Sequence, residues 1–100
     1  MISEIKTIDE FKSAISNNGL VVIDFFADWC GPCKKIAPFF ANLEKIYQNR
    51  RPEVDYLNVN LYKINCDNIV LESICIACQI SSLPSFCYFL LFYHILYVSS

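Results

Sequence analysis

A short apolar run, Leu20-Val21-Val22-Ile23-Asp24-Phe25-Phe26-Ala27, leads across Asp28 and Trp29 into Cys30-Gly31-Pro32-Cys33, and an amphipathic pattern starts directly after the second cysteine. The run is rich in β-branched and aromatic residues and follows the turn signal Asn17-Asn18-Gly19, which predicts a buried strand. Pro32, with its fixed φ and missing N–H, suits the first position of a helix. Cys30 is therefore expected just ahead of a helix N-terminus, where unpaired N–H groups and the helix dipole favour an anion. A thiolate is such an anion, so its pKa should fall from about 8.5 towards neutrality. Two cysteines at this spacing either close a small disulfide ring or supply half of a metal site. The placement ahead of a helix favours redox chemistry.

The helix that follows carries Ile36, Phe39, Phe40, Leu43, Ile46 and Tyr47 at three- and four-residue spacing, with Lys34, Lys35, Asn42, Glu44, Lys45 and Gln48 on its other side. Pro38 inside it removes a backbone hydrogen bond and predicts a kink, at a cost of ~3 kcal/mol unless packing compensates. Arg50 and Arg51 suit its C-terminal end and Pro52 stops it. Upstream, Ile2 to Ile5 reads as a short edge strand. Thr7-Ile8-Asp9-Glu10 reads as a capping box for a helix with Ile8, Phe11 and Ile15 on one face, closed by Gly19. In Val54 to Cys66 the residues Leu57, Val59 and Leu61 alternate in one phase and Tyr62, Ile64 and Cys66 in the other. One flat strand does not keep both sets on one face, so a loop or bulge followed by a strand of about seven residues ending near Cys66 is expected. Asp67 or Asn68 caps a third helix over Ile69–Cys78, and Leu83-Pro84 breaks the chain.

One hundred residues predict a single domain over 1–100, and the net charge of -2 gives no reason to expect nucleic acid as partner. Met1 to Lys12 has no apolar signal core, so the six cysteines read as free thiols plus one reactive pair rather than an exported disulfide framework. The last charged residue is Glu72, and residues 88–100 form an atypical apolar tail. Phe86 to Val98 is thirteen residues, short of the ~20 that a membrane-spanning helix needs, and reads as strand against a sheet. A zinc site joining Cys30 and Cys33 to Cys75 and Cys78 is disfavoured, because zinc pairs usually sit on loose knuckles and these lie on helices. A Cys75–Cys78 disulfide is disfavoured by helical geometry. Cys66, Cys75, Cys78 and Cys87 read as buried packing, and His94, alone among apolar residues, as no ligand.

Asp24 through Lys34, containing Trp29-Cys30-Gly31-Pro32-Cys33, resembles the strand and active-site motif of the thioredoxin family. Lys63-Ile64-Asn65-Cys66-Asp67 resembles the end of that family's central strand, and Ile80 through Phe86 the segment carrying its cis-proline, here Pro84. The resemblance covers roughly residues 5–90. It implies a three-layer α/β/α fold with a mixed central sheet, whose C-terminal strand and helix are expected to be missing or altered, since residues 88–100 offer no turn residue and no polar helix face. It also implies a thiol-disulfide oxidoreductase that reduces protein disulfides in the cytoplasm and maintains redox homeostasis. Cys30 would be the nucleophile and the more exposed sulfur, Cys33 the resolving thiol, Asp24 the buried proton acceptor acting through water, and Lys63 its partner. Trp29, Gly31, Pro32, Leu83 and Pro84 would form the substrate surface. No cofactor is implied beyond the Cys30–Cys33 disulfide. Electrons would come from a flavin- and NADPH-dependent thioredoxin reductase, with no membrane span. A second reading is a catalytically weak binding module whose apolar tail mediates association.

Overall fold

β2 (Leu20–Phe26) lies at the middle of a five-stranded sheet of order β1-β3-β2-β4-β5, completed by β1 (Ser3–Glu4), β3 (Val59–Asn65), β4 (Ser85–Leu90) and β5 (Ile95–Ser99). The computed structural model describes residues 2–17, 19–48, 59–90 and 95–99. β3 runs parallel to both β1 and β2, whereas β4 is antiparallel to β2 and to β5, so the sheet is mixed. The apolar tail thus supplies a fifth strand, with Tyr88 opposite Tyr97. Of the C-terminal strand expected to be missing or altered, the structure keeps a strand, in line with the reading of Phe86 to Val98 as strand against a sheet: apolar, β-prone residues take the edge that β4 offers. Among the described residues no helix follows β5.

β3 carries its two apolar phases on opposite faces of the sheet. Ile64 and Tyr62 pack towards the cluster containing Val21, Ile23, Phe25 and Leu71, while Leu61 packs towards Val22 and Phe40. A parallel strand paired on both edges packs on both faces, so both phases find cover, Ile64 fully and Tyr62 and Leu61 in part. Its seven residues match the expected length. α1 (Ile8–Ile15) and α3 (Glu72–Ala77) cover the first face, and α2 (Gly31–Gln48) lies on the second, giving three layers.

The caps follow local chemistry. Thr7 Oγ1 accepts the Glu10 N–H at 3.1 Å. Glu10 Oε2 reaches back to the N–H of Lys6 at 2.6 Å rather than to Thr7, one residue beyond the expected box. α1 ends at Ser16, and Gly19, with φ 92°, serves the turn into β2 instead of closing the helix. Asn68 Oδ1 accepts the Val70 N–H at 3.1 Å, starting a 3₁₀ turn over Ile69–Leu71 that leads into α3. Gln79, at φ 57°, ends that helix in the left-handed region.

The apolar stripe of α2 is only partly used. Phe40 is buried and meets Phe86 at 5.6 Å between ring centroids. Ile46 lies open, and Phe39, 69% exposed, lines a groove of about 420 Å³ together with Leu20, Val22, Leu61 and Tyr88. The expected helix stop at Arg50, Arg51 and Pro52, the segment before Val59, the Tyr47 side chain and His94 lie outside the described residues. Among the described residues no helix is long and apolar enough to cross a membrane.

Candidate active site

Cys30 occupies the residue before the first turn of α2, and its carbonyl accepts the Lys34 N–H at 3.3 Å. Its Sγ accepts the N–H of Cys33 at 3.1 Å. The sulfur therefore sits where an N-cap oxygen normally would, facing an amide hydrogen with no carbonyl partner in the helix. That contact holds a thiolate as well as it holds the bonded sulfur. Cys30 and Cys33 are joined as a disulfide with Cα atoms 5.3 Å apart.

Both cysteines are 4% exposed, so the expectation that Cys30 is the more exposed is not met. Their surroundings differ instead. Cys33 lines a cavity of about 190 Å³ together with Asp24, Lys34 and Lys63, and Cys30 does not. Asp24 is 5% exposed, and no described group hydrogen-bonds its Oδ1. Burial pushes its carboxyl up to about 6, opposed by the nearby positive charge of Lys63. Lys63 stands opposite Asp24 in the β2–β3 register, and its Nζ lies 5.6 Å from the Phe26 ring centroid. β2 and β3 thus bring Asp24 and Lys63 to one end of the sheet, on the cavity that Cys33 also lines.

The remaining predicted residues surround the disulfide. Leu83 packs against the cluster of Ala27, Cys30 and Cys33, and the Leu83–Pro84 peptide is cis, as the resemblance implies. Gly31 and Pro32 are exposed. A Cβ at Gly31 would meet no atom within 4 Å, so glycine there leaves approach to the sulfurs open rather than relieving a clash. Trp29, 71% exposed, donates its Nε1–H to Asp67 Oδ1 at 3.3 Å. Asp67, expected as a helix cap or at the end of the central strand, is thus a neighbour of the site. The two residues are 38 apart in the chain, and no local pattern links them.

The rival metal arrangement is not assembled. Cys75 has its sulfur beside Cys66, and Cys78 lies with Cys87 in the buried core cluster. Among the described residues no group of three or more His, Cys, Asp or Glu is placed to hold a metal ion.

A mixed sheet flanked by helices, with a Cys-x-x-Cys disulfide at a helix start and, packed beside it, the leucine of a cis Leu-Pro peptide, defines a thioredoxin-fold protein with a dithiol site. The match to the thioredoxin family model over residues 3–91 carries the assignment further. The chain belongs to the thioredoxin family. It is 43% identical over 90 residues to a thioredoxin-like protein of Acanthamoeba polyphaga mimivirus, covering 88% of this chain and 59% of that protein. With thioredoxin-1 of Saccharomyces cerevisiae it shares 42% identity over 69 residues, covering 69% of this chain and 58% of the relative. The chain therefore spans less than two thirds of the length of these relatives. Oxidized mitochondrial thioredoxin 3 of Saccharomyces cerevisiae superimposes with a TM-score of 0.78 at 27% identity, covering 99% of this chain and 82% of that one.

Proposed function

We propose that this chain is a thiol-disulfide oxidoreductase that reduces disulfides in other proteins. The observation that carries the reading is the Cys30–Cys33 bond at the first turn of α2, with the Cys33 N–H on the Cys30 sulfur. In the reduced state, Cys30 attacks one sulfur of a substrate disulfide as thiolate, forming a mixed disulfide and releasing the other substrate sulfur as a thiolate that takes up a proton. Cys33 then loses its proton and attacks Cys30. The second substrate thiol leaves, and the pair ends oxidised by two electrons. Asp24, across the shared cavity, is the acceptor for the Cys33 proton, either directly or through water. With a pKa near 6, it is a stronger base than an ordinary carboxylate while remaining ionised at pH 7. Lys63 holds that value below what burial alone would give.

Trp29, Gly31, Pro32, Leu83 and Pro84 form the surface that meets the substrate, with the Leu83 backbone available to an extended segment. A flavin- and NADPH-dependent thioredoxin reductase returns the electrons, no cofactor beyond the Cys30–Cys33 disulfide takes part in this reaction, and the protein serves redox homeostasis in the cytoplasm. The alternative, a weak binding module associating through its tail, has less support, because residues 95–99 are engaged in the sheet as β5. Reduction of insulin disulfides with dithiothreitol as electron source tests the reading. The chain should accelerate precipitation of the insulin B chain, and Cys30→Ser should abolish the effect. Equal, negligible rates for both proteins would favour the binding module.

A further inference from the structure

Outside the Cys30–Cys33 pair, the fold collects the remaining cysteines into two couples. Cys66, directly after β3, has its backbone held by the Phe26 carbonyl, which accepts its N–H at 2.8 Å. Cys75 lies within α3, nine residues on, and the two sulfurs share a thiol–thiol hydrogen bond at 3.7 Å. The other couple, Cys78 and Cys87, is fully buried, whereas Cys66 and Cys75 are only half-buried and within reach of a small oxidant.

We propose that Cys66 and Cys75 form a second, reversible dithiol–disulfide pair whose state is passed to Trp29 through Asp67. A disulfide needs its sulfurs about 2.0 Å apart, so closure requires a relative shift of roughly 1.7 Å. α3 is six residues long behind a 3₁₀ turn, and a short element of this kind accommodates such a shift more readily than the paired end of β3. Asp67 follows Cys66 directly and accepts the Trp29 Nε1–H, so a bond at Cys66 reaches the exposed face of the active site through one residue and one hydrogen bond.

The oxidant is a low-molecular-weight disulfide of the glutathione type. Cys75 attacks one of its sulfurs as thiolate, giving a mixed disulfide and one small thiol. Cys66 then attacks the Cys75 sulfur and expels the second small thiol. Two protein thiols lose two electrons and two protons, and one small disulfide becomes two thiols. Burial raises both thiols, Cys66 to about 12, and the neighbouring Cys75 adds to that rise. Thiolate is scarce at neutral pH, so this pair sets slowly and holds its state while the Cys30–Cys33 pair turns over. The inference does not depend on the reductase reading, because the couple acts without the active-site cysteines.

The test uses the full chain carrying Cys30→Ser and Cys33→Ser, which leaves Cys66, Cys75, Cys78 and Cys87. Glutathione disulfide is added at pH 7 and pH 8, the products are mapped as proteolytic peptides by mass, and emission of the single Trp29 is followed. The expected result is a Cys66–Cys75 cross-linked peptide lighter by two hydrogens, formed about tenfold faster at pH 8 than at pH 7. A shift in Trp29 emission should accompany it, and dithiothreitol should reverse both. Cys75→Ser on the same background should lose both, and Cys66→Ala, checked for native circular dichroism, provides the second control. A Cys78–Cys87 link, a glutathione adduct that never closes, or no reaction overturns the pair. A Cys66–Cys75 link with unchanged Trp29 emission keeps the pair and overturns its coupling to the site.

Discussion

Asp24→Asn should make this protein more stable and a slower reductant. Asp24 is buried with Oδ1 unpartnered among the described residues, and burial raises its carboxyl from 3.8 to about 6. At ~1.4 kcal/mol for each tenfold change in proton affinity, that rise corresponds to about 3 kcal/mol of destabilisation once the group is ionised in both states. The sign follows from the direction: a folded pKa above the unfolded one leaves stability intact below the unfolded value. Stability is then lost as pH climbs through about 4 to about 6, levelling off above 7. Asparagine keeps the shape and cannot ionise. Urea unfolding of the oxidised proteins, followed by circular dichroism at pH 3, 5 and 8, should therefore show no stability gap at pH 3, an intermediate gap at pH 5 and about 3 kcal/mol in favour of Asp24→Asn at pH 8. A gap of equal size at all three values would place the effect in packing. A less stable variant at pH 8 would refute the reasoning outright. The same protein should reduce insulin more slowly, since Cys33 loses its proton acceptor.

Ile64→Ala, at a fully buried position of β3, should cost ~2–5 kcal/mol, read as a lower urea midpoint with unchanged slope. Thr7→Ala removes the acceptor for the Glu10 N–H and should cost about 1 kcal/mol by the same measurement. Gln79→Gly relieves a left-handed residue at the end of α3 and should add about 1 kcal/mol. Trp29→Ala, at a largely exposed side chain, should change stability by no more than ~0.5 kcal/mol while raising KM for protein disulfides.

Most of the site was legible because its parts are local. The strand ending at Phe26, the helix beginning at Gly31 and the Cys30 sulfur between them follow from adjacent residues and from the chemistry of Pro32. The cis peptide at Pro84 came from family resemblance alone, as did the pairing of Asp24 with Lys63, which needs the parallel register of two strands far apart in sequence. What escaped was long-range and carried no periodic signal: the Asp67 partner of Trp29 and the meeting of Cys66 with Cys75. The two apolar phases of β3 divide between the two faces of the sheet, since a strand packed on both sides has no wet face to alternate with. The apolar stripe on α2 was legible, yet Phe39 and Ile46 stay exposed, because periodicity marks which side is apolar and not whether a neighbour arrives to cover it.

The sheet order has a consequence for how sequences of this kind can drift. Acid, base, sulfurs and proline loop all hang from β2, β3 and β4, the three inner strands, while β1 and β5 form the two margins. Substitutions along either margin alter how the sheet is hemmed without moving any atom that touches the disulfide. An unusual C-terminal stretch can therefore be tolerated beside an unaltered centre, and exchange of the last strand for another of similar apolar character should leave the sulfur chemistry where it is.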